Sequence, residues 1–366
     1  MSQTAPISEF ERRCNSLAQQ LAPLKVDALV VSFLANVRYL TGYTGSNGLL
    51  LLSASGEATF FTDPRYRISA AAEVSCRVRV SSGPILPDVV ALIARKKYRR
   101  IGFEKSRIGY ESYEFIKSKL PVRAVLEPVS GLVEKQRMVK SATEIELIRR
   151  SVEANSEAFE DALAVIRPGK TRETDLAAEI DYRMRKLGAE RPAFETIVAS
   201  GPRSAMVHAQ PSERILSRND LVLIDMGATR KGYASDMTRV VHIGRPSSRI
   251  KRIYSAVLEA QMAAIEAVRP GVTAARVDRE ARRLLKQKGL DKAFVHSTGH
   301  GLGLEIHEPP RLGKQDRTRL EEGMAITIEP GAYLEGFGGV RIEDVVVVTR
   351  SGCEILTRTS KELREL

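Results

Sequence analysis

Only three cysteines occur, Cys14, Cys76 and Cys353, odd in number, far apart and never in Cys-x-x-Cys spacing. That excludes a disulfide framework and a thiolate metal site, and points to a reducing compartment. No stretch approaches the uninterrupted apolar length needed to span a bilayer. The first residues, MSQTAPISEFERRCNS, have early acids and no apolar core, so they do not read as a secretory signal. These absences make the cytoplasm the expected location and a membrane an unexpected partner. The net charge of +12 raises the question of nucleic acid. Its densest run, Arg95-Lys96-Lys97-Tyr98-Arg99-Arg100, reads as the solvated end of a helix whose last turn favours cations. No nucleic-acid-binding signature accompanies it, so nucleic acid is not an expected partner.

What is there is an ordinary soluble composition, 43% hydrophobic and 28% charged, in 366 residues, enough for two domains with full cores. Ser8 and Glu11 have capping-box spacing and open an amphipathic stretch running to about Ala22. Strand-length apolar runs follow at 26–33, 48–52, 59–62, 77–80 and 100–103. Helices are predicted over 65–73, behind Asp63-Pro64, and over 88–97 and 111–120. Strands alternating with helices imply an α/β domain with a mixed or mostly parallel sheet. It has no Gly-rich phosphate loop, no histidine and no acidic cluster with ligand spacing, so chemistry is not expected there. A polar stretch at 133–137 leads to a second capping box, Ser141 with Glu144. The expected division is an N-terminal domain over 1–133, a linker over 134–142 and a catalytic domain over 143–366.

All five histidines (His208, His242, His296, His300, His307) lie beyond that boundary. The second domain also repeats itself at an offset near a hundred residues. A long Ala-rich helix stops at Arg167-Pro168-Gly169-Lys170-Thr171 and another at Arg269-Pro270-Gly271-Val272-Thr273. In each copy the Thr is read as the cap of a second helix, which ends at Gly188 or Gly289. Continuing the register aligns His208-Ala-Gln-Pro with His307-Glu-Pro-Pro, and Asp225-Met-Gly with Glu329-Pro-Gly. Asp236 then falls on Glu343. Two fused, pseudo-symmetric halves facing a shared cleft fit this pattern better than a solenoid.

Asp225 and Glu329 end apolar strands, and Asp236 and Glu343 stand just before others, so each pair can converge in a hairpin. Four carboxylates in a partly buried cleft would repel one another unless cations intervene. With His300 completing the set, mostly oxygen donors and one imidazole suit Mn²⁺, Co²⁺, Fe²⁺ or Zn²⁺, and disfavour Ca²⁺. Singly, these residues have plain readings. An Asp at a strand end is usually a cap or turn residue, and His300 alone would be a satisfied loop histidine. His242, inside an apolar run, reads as structural or surface, and Gly299-His300-Gly301-Leu302-Gly303 alone is a weak glycine signal. The joint, duplicated placement gives them weight.

The sequence resembles the pita-bread metallopeptidases, the group that includes creatinase, aminopeptidase P, prolidase and methionine aminopeptidase. The stretches that carry the resemblance are Asp225-Met-Gly with Asp236 eleven residues on, and His296-Ser-Thr-Gly-His300-Gly-Leu-Gly-Leu-Glu-Ile-His307-Glu. Glu329-Pro-Gly and Gly339-Val-Arg-Ile-Glu343-Asp complete them. The resemblance implies a creatinase-like α/β N-terminal domain and an α+β pita-bread catalytic domain with an internal pseudo-two-fold duplication. All five ligand positions hold the expected residue types, which argues against creatinase and against non-catalytic, partner-binding relatives. Methionine aminopeptidases typically lack the N-terminal domain and end with Gln-x-Glu-His. Val340-Arg341-Ile342-Glu343-Asp344 and the segment 36–46 resemble the proline-specific branch instead.

The implied activity is hydrolysis of the Xaa-Pro bond at peptide N-termini, with Xaa-Pro dipeptidase as the alternative. It would proceed through hydroxide generated between two divalent ions, Mn²⁺ foremost, held by Asp225, Asp236, His300, Glu329 and Glu343. By the same resemblance Glu329 is also a proton shuttle, and His208 and His307 flank the substrate. His296, four residues before His300, one helical turn's spacing, is the cleft or proline-pocket histidine, and Arg341 holds a ligand carboxylate. A homodimer acting on proline-containing peptides is the expected assembly.

Overall fold

A computed structural model describes residues 8–366; the first seven, on which part of the leader reading rests, lie outside the described residues. The chain divides into two compact units, one up to Arg137 and one over Met138–Leu366.

The first unit begins as the capping spacing predicts: the Ser8 hydroxyl accepts the Glu11 N–H at 3.2 Å and opens the helix Glu9–Leu21. Its six-stranded sheet runs, edge to edge, Arg77–Val80, Ala58–Thr62, Leu49–Ser53, Ala28–Val31, Arg100–Glu104, Val125–Val129. The sheet is mixed: the Leu49–Ser53 strand is antiparallel to both neighbours, and the other pairings are parallel. Asp63 accepts the Arg65 N–H at 2.9 Å as a cap should, but it opens a 3-10 turn, Pro64–Tyr66, and the α-helix starts only at Arg67. A helix over Leu34–Thr41 has no counterpart in the sequence reading. It stops at Gly42, whose φ of 82° and a Phe10 ring atom 2.9 Å from where a Cβ would stand both require glycine.

The boundary between the two units, Arg137/Met138, falls inside the expected linker 134–142, but that stretch is not an open connector. Its first part belongs to the helix Leu132–Met138, and Ser141 already caps the helix Ala142–Leu163 through a complete capping box. The polar character of 133–137 suggested a solvated connector. Arg137 is in fact 2% exposed, with its guanidinium donating to Asn36 Oδ1 at 2.6 Å.

The second unit is built twice. Helices Ala142–Leu163 and Glu173–Lys186 precede strands Ile197–Ser200, Leu221–Met226 and Met237–His242; helices Ser248–Glu266 and Ala274–Gln287 precede Gly299–Gly301, Ala325–Ile328 and Asp344–Val348. In both copies the middle strand pairs antiparallel with its neighbours on either side. Even the turns repeat: Gly169 N–H donates to Leu216 O and Gly271 N–H to Leu320 O, both at 2.8 Å. The first helix pair packs on Val198, Val222 and Ile224, the second on Ile326, Ile328 and Val346. The caps differ from expectation. Arg172, not Thr171, is the N-cap of the first copy's second helix, because the Thr171 hydroxyl accepts the Arg167 N–H at 2.8 Å instead. Thr273 holds the N-cap position in the second copy without a side-chain cap bond. Among the described residues no helix is long and apolar enough to cross a membrane.

Candidate metal centre

Strand pairing decides how the four acids meet. In the first hairpin Asp225 pairs with Thr238, and Asp236 lies two residues from Thr238, so the aspartates are diagonal neighbours on one face. In the second, Ile328 and Asp344 are the last paired residues, and Glu329 and Glu343 stand directly opposite one step beyond. His300 enters on the short strand beside Ala325–Ile328, its N–H donating to Thr327 Oγ1 at 3.1 Å. Its Nδ1 lies 3.0 Å from the Gly301 carbonyl, which assigns the proton there and frees Nε2 for a cation. That Nε2 is 3.5 Å from both Asp236 Oδ2 and Glu329 Oε1. Donor atoms of Asp236, His300 and Glu343 all fall within 4.8 Å of one another.

The electrostatics of this cluster test whether cations fit. Burial, then the neighbouring Asp225 and Glu329, holds the Asp236 carboxyl well above its usual range. Burial, then Asp236 and Glu329, does the same to Glu343. Glu329 is also raised, mainly by burial, although His300 and Arg341 oppose the shift. Asp225 Oδ2 is held by Arg341, but its Oδ1 is buried with no hydrogen-bond partner among the described residues. One guanidinium therefore faces four carboxylates, and an orphaned acceptor points at the same place. The residues present fit two divalent cations.

Arg341 is 2% exposed and organises one side of the centre. It donates to Asp225 Oδ2, to Thr238 Oγ1 at 2.9 Å and to the Tyr333 hydroxyl at 2.7 Å. Tyr333 and His296 Nε2 are 2.8 Å apart, and His296 Nδ1 lies 2.8 Å from the Ser297 carbonyl. A guanidinium only donates and a carbonyl only accepts, so the chain runs one way, Arg341 to Tyr333 to neutral His296 to Ser297. Burial, reinforced by the Arg341 cation, pushes His296 down to about 4, and burial pushes Tyr333 up to about 12, as that direction requires.

The four acids, His300, His296 and Arg341 line one cleft of about 950 Å³ that also holds His208 and His307. The His307 ring stands edge-on to His300 with centroids 4.5 Å apart. Burial, then His300 and His208, lowers its pKa, so it is neutral near pH 7. Phe194, Ile197, Val207 and Ile306 give the cleft an apolar wall.

Residues 146–350 match the profile of metallopeptidase family M24, and residues 13–139 that of the creatinase/prolidase N-terminal domain. The chain belongs to metallopeptidase family M24. It is 38% identical to a Xaa-Pro dipeptidase of Pyrococcus furiosus over 97% of this chain and 100% of that one. A Xaa-Pro dipeptidase structure from Bacillus anthracis aligns with a TM-score of 0.95 at 38% identity, covering 98% of this chain and 100% of that one. An X-Pro aminopeptidase structure from Thermotoga maritima gives 0.89 at 37% identity over 95% and 99%.

Within this M24 frame the fold brings every expected site residue to the one cleft: Asp225, Asp236, His300, Glu329 and Glu343, with His208, His296, His307 and Arg341 around them. One detail of the sequence reading fails. The stretch from His296 to His300 is a bent segment that enters a strand at Gly299, not a helical turn. Residues four apart share a face in either conformation, so spacing alone does not separate the two. His242 is buried, with Nδ1 2.7 Å from the Gly244 carbonyl and away from the cleft. Sequence reasoning missed Thr238, Tyr333 and Arg311. Arg311 lines the cleft, donates to Ser297 Oγ at 3.3 Å, and makes no ion pair among the described residues.

Proposed function

We propose that the protein is a metallo-exopeptidase that releases the N-terminal residue from peptides with proline in second position, as an Xaa-Pro aminopeptidase does. The observation that carries this reading is the convergence of the five-donor cluster and the His208–His307 pair on one cleft with an apolar wall. Asp225, Asp236, His300, Glu329 and Glu343 would hold two divalent ions. Mn²⁺ is the proposed metal, and Co²⁺, Fe²⁺ and Zn²⁺ are compatible with the same donors. When bound, the ions supply Lewis acidity and a water acidified toward neutrality.

The chain's own groups do the rest. Glu329, half-buried beside His300, is placed to carry a proton toward the leaving imino nitrogen. Neutral His307 has an N–H to give the scissile carbonyl oxygen as it gains charge. His208, on the same cleft, orients the peptide. His296 has both ring nitrogens occupied by Ser297 and Tyr333, so it serves as a wall and not as an acid or base. Proline has no N–H and a fixed φ, and a fitted apolar wall recovers the binding that a missing hydrogen bond forgoes.

Arg311 favours the second reading, an Xaa-Pro dipeptidase: a guanidinium on the cleft without a carboxylate partner suits the free C-terminus of a dipeptide. Comparing Xaa-Pro with Xaa-Pro-x peptides under Mn²⁺ separates the two. For a dipeptidase, Arg311→Ala raises KM for Xaa-Pro by about tenfold, a lost charge-assisted hydrogen bond, and leaves longer peptides unaffected. Activity that survives exhaustive chelation overturns both. We further assign the protein to the cytoplasm, on its three widely spaced free cysteines, and to a two-fold homodimer, the commonest closed assembly and the one the resemblance implies.

A further inference from the structure

The two halves of the catalytic unit hold each other's acids. Arg341, from the second half, holds Asp225 of the first. In return, Glu343 of the second half is gripped at three atoms by two consecutive residues of the first. Its N–H donates to the Thr238 carbonyl at 3.2 Å, its carbonyl accepts from Arg239 Nη1 at 2.6 Å, and its Oε2 accepts from the Thr238 hydroxyl at 2.7 Å.

The direction of the last bond is forced. Thr238 Oγ1 also receives Arg341 Nε at 2.9 Å. A guanidinium can only donate and a carboxylate that holds a cation can only accept, so the hydroxyl's single proton goes to Glu343. Thr238 is fully buried, and no solvent competes for either bond. The device is built once. With Asp236 aligned on Glu343, the second-half counterpart of Thr238 is Val345, whose side chain has no polar atom to offer.

We propose that Thr238 is a positioning residue that fixes the orientation of Glu343 and, through Arg341, couples it to Asp225, so that acids from both halves present their free oxygens together. This rests on the two-metal reading of the centre. The test is calorimetric titration of Mn²⁺ into the chelator-treated full chain, for wild type, Thr238→Val and Thr238→Ser. Valine keeps the shape and removes both hydrogen bonds; serine restores the hydroxyl.

The expected result is Mn²⁺ affinity about 10- to 100-fold weaker in Thr238→Val, as for other partners of metal ligands, with Thr238→Ser near wild type. The metal-free variants should keep wild-type circular dichroism, which excludes general unfolding as the cause. If the valine variant does not fold, Thr238→Ala takes its place under the same criterion. Wild-type affinity and stoichiometry in the variant lacking the hydroxyl, or a serine variant no better than it, overturns the role of Thr238. Failure of the wild type itself to take up Mn²⁺ is a separate result and overturns the metal reading beneath it.

Discussion

The two hairpins of the catalytic unit share a frame and differ in what they do with it. In the first, both acids are aspartates, diagonal across the ladder, and Asp225 is tied to Arg341. In the second both are glutamates, directly opposite, and Glu329 Oε1 lies 3.5 Å from His300 on the cleft. The first half's strand equivalent to that of His300, Ile197–Ser200, offers no imidazole. Its one polar side chain, Ser200, is spent on Glu173 at 2.8 Å. Duplication therefore supplies positions, and in the proposed mechanism divergence decides which position carries a proton and which only holds charge.

The largest effect should come from breaking that division. Glu329→Gln is expected to lower kcat on an Xaa-Pro peptide by about 10³-fold at saturating Mn²⁺, since a ligand and a proton carrier are lost together. Asp225→Asn, in the corresponding place, should act mainly on Mn²⁺ affinity, with kcat recovering as the metal is raised. Equal kcat losses in the two variants under saturating metal would show that the halves are not divided in this way.

Arg341 comes next, because it joins the halves. Replacing it by Met leaves the buried Asp225 without its counter-ion and the partly buried Tyr333 without its donor. Removing one partner of a buried charge pair costs about 3–5 kcal/mol, measurable by urea denaturation of the metal-free protein. A loss under 1 kcal/mol would mean that the clasp does not hold the halves.

His307→Ala should lower kcat by about 10²-fold with bound Mn²⁺ unchanged, the size expected for one donor to a developing oxyanion. The first-half counterpart, His208, is exposed, and His208→Ala should cost less. A larger effect at His208, or a change in metal content at His307, would reverse the roles given to the pair.

How far the sequence carries depends on the range of the interaction. The duplication is legible because Pro-Gly stops and strand-end acids are local signals, and the acids converge as the two hairpins require. Thr238 is not legible, because its partners Arg341 and Glu343 lie 103 and 105 residues away and only strand register delivers them. Tyr333 reads as an ordinary strand aromatic until Arg341 and His296 are seen on either side of it. The helix Leu132–Met138 is hidden for the same reason. Arg137 looks like a surface charge until Asn36, 101 residues earlier, is found beside it.

The smallest effect is also the one that separates charge from geometry. Unfolded carboxyls ionise near 4. In the metal-free fold, burial and their neighbours hold Asp236 and Glu343 well above that. From about pH 4 up to those raised values the folded state binds more protons than the unfolded, so stability falls as pH rises through the window. Bound cations keep the same carboxyls ionised and remove this dependence. His296 works in the opposite sense. Lowered to about 4, it stays neutral while its unfolded counterpart takes a proton below about 6.5, so stability is lost as pH falls between those values. That loss is common to the loaded and metal-free forms and cancels between them. The gap in Tm between Mn²⁺-loaded and metal-free protein should therefore widen from pH 5 to pH 8, by roughly 2 °C or more. A gap that stays constant or narrows would mean that the acids of the two hairpins are not repelling one another in the metal-free state.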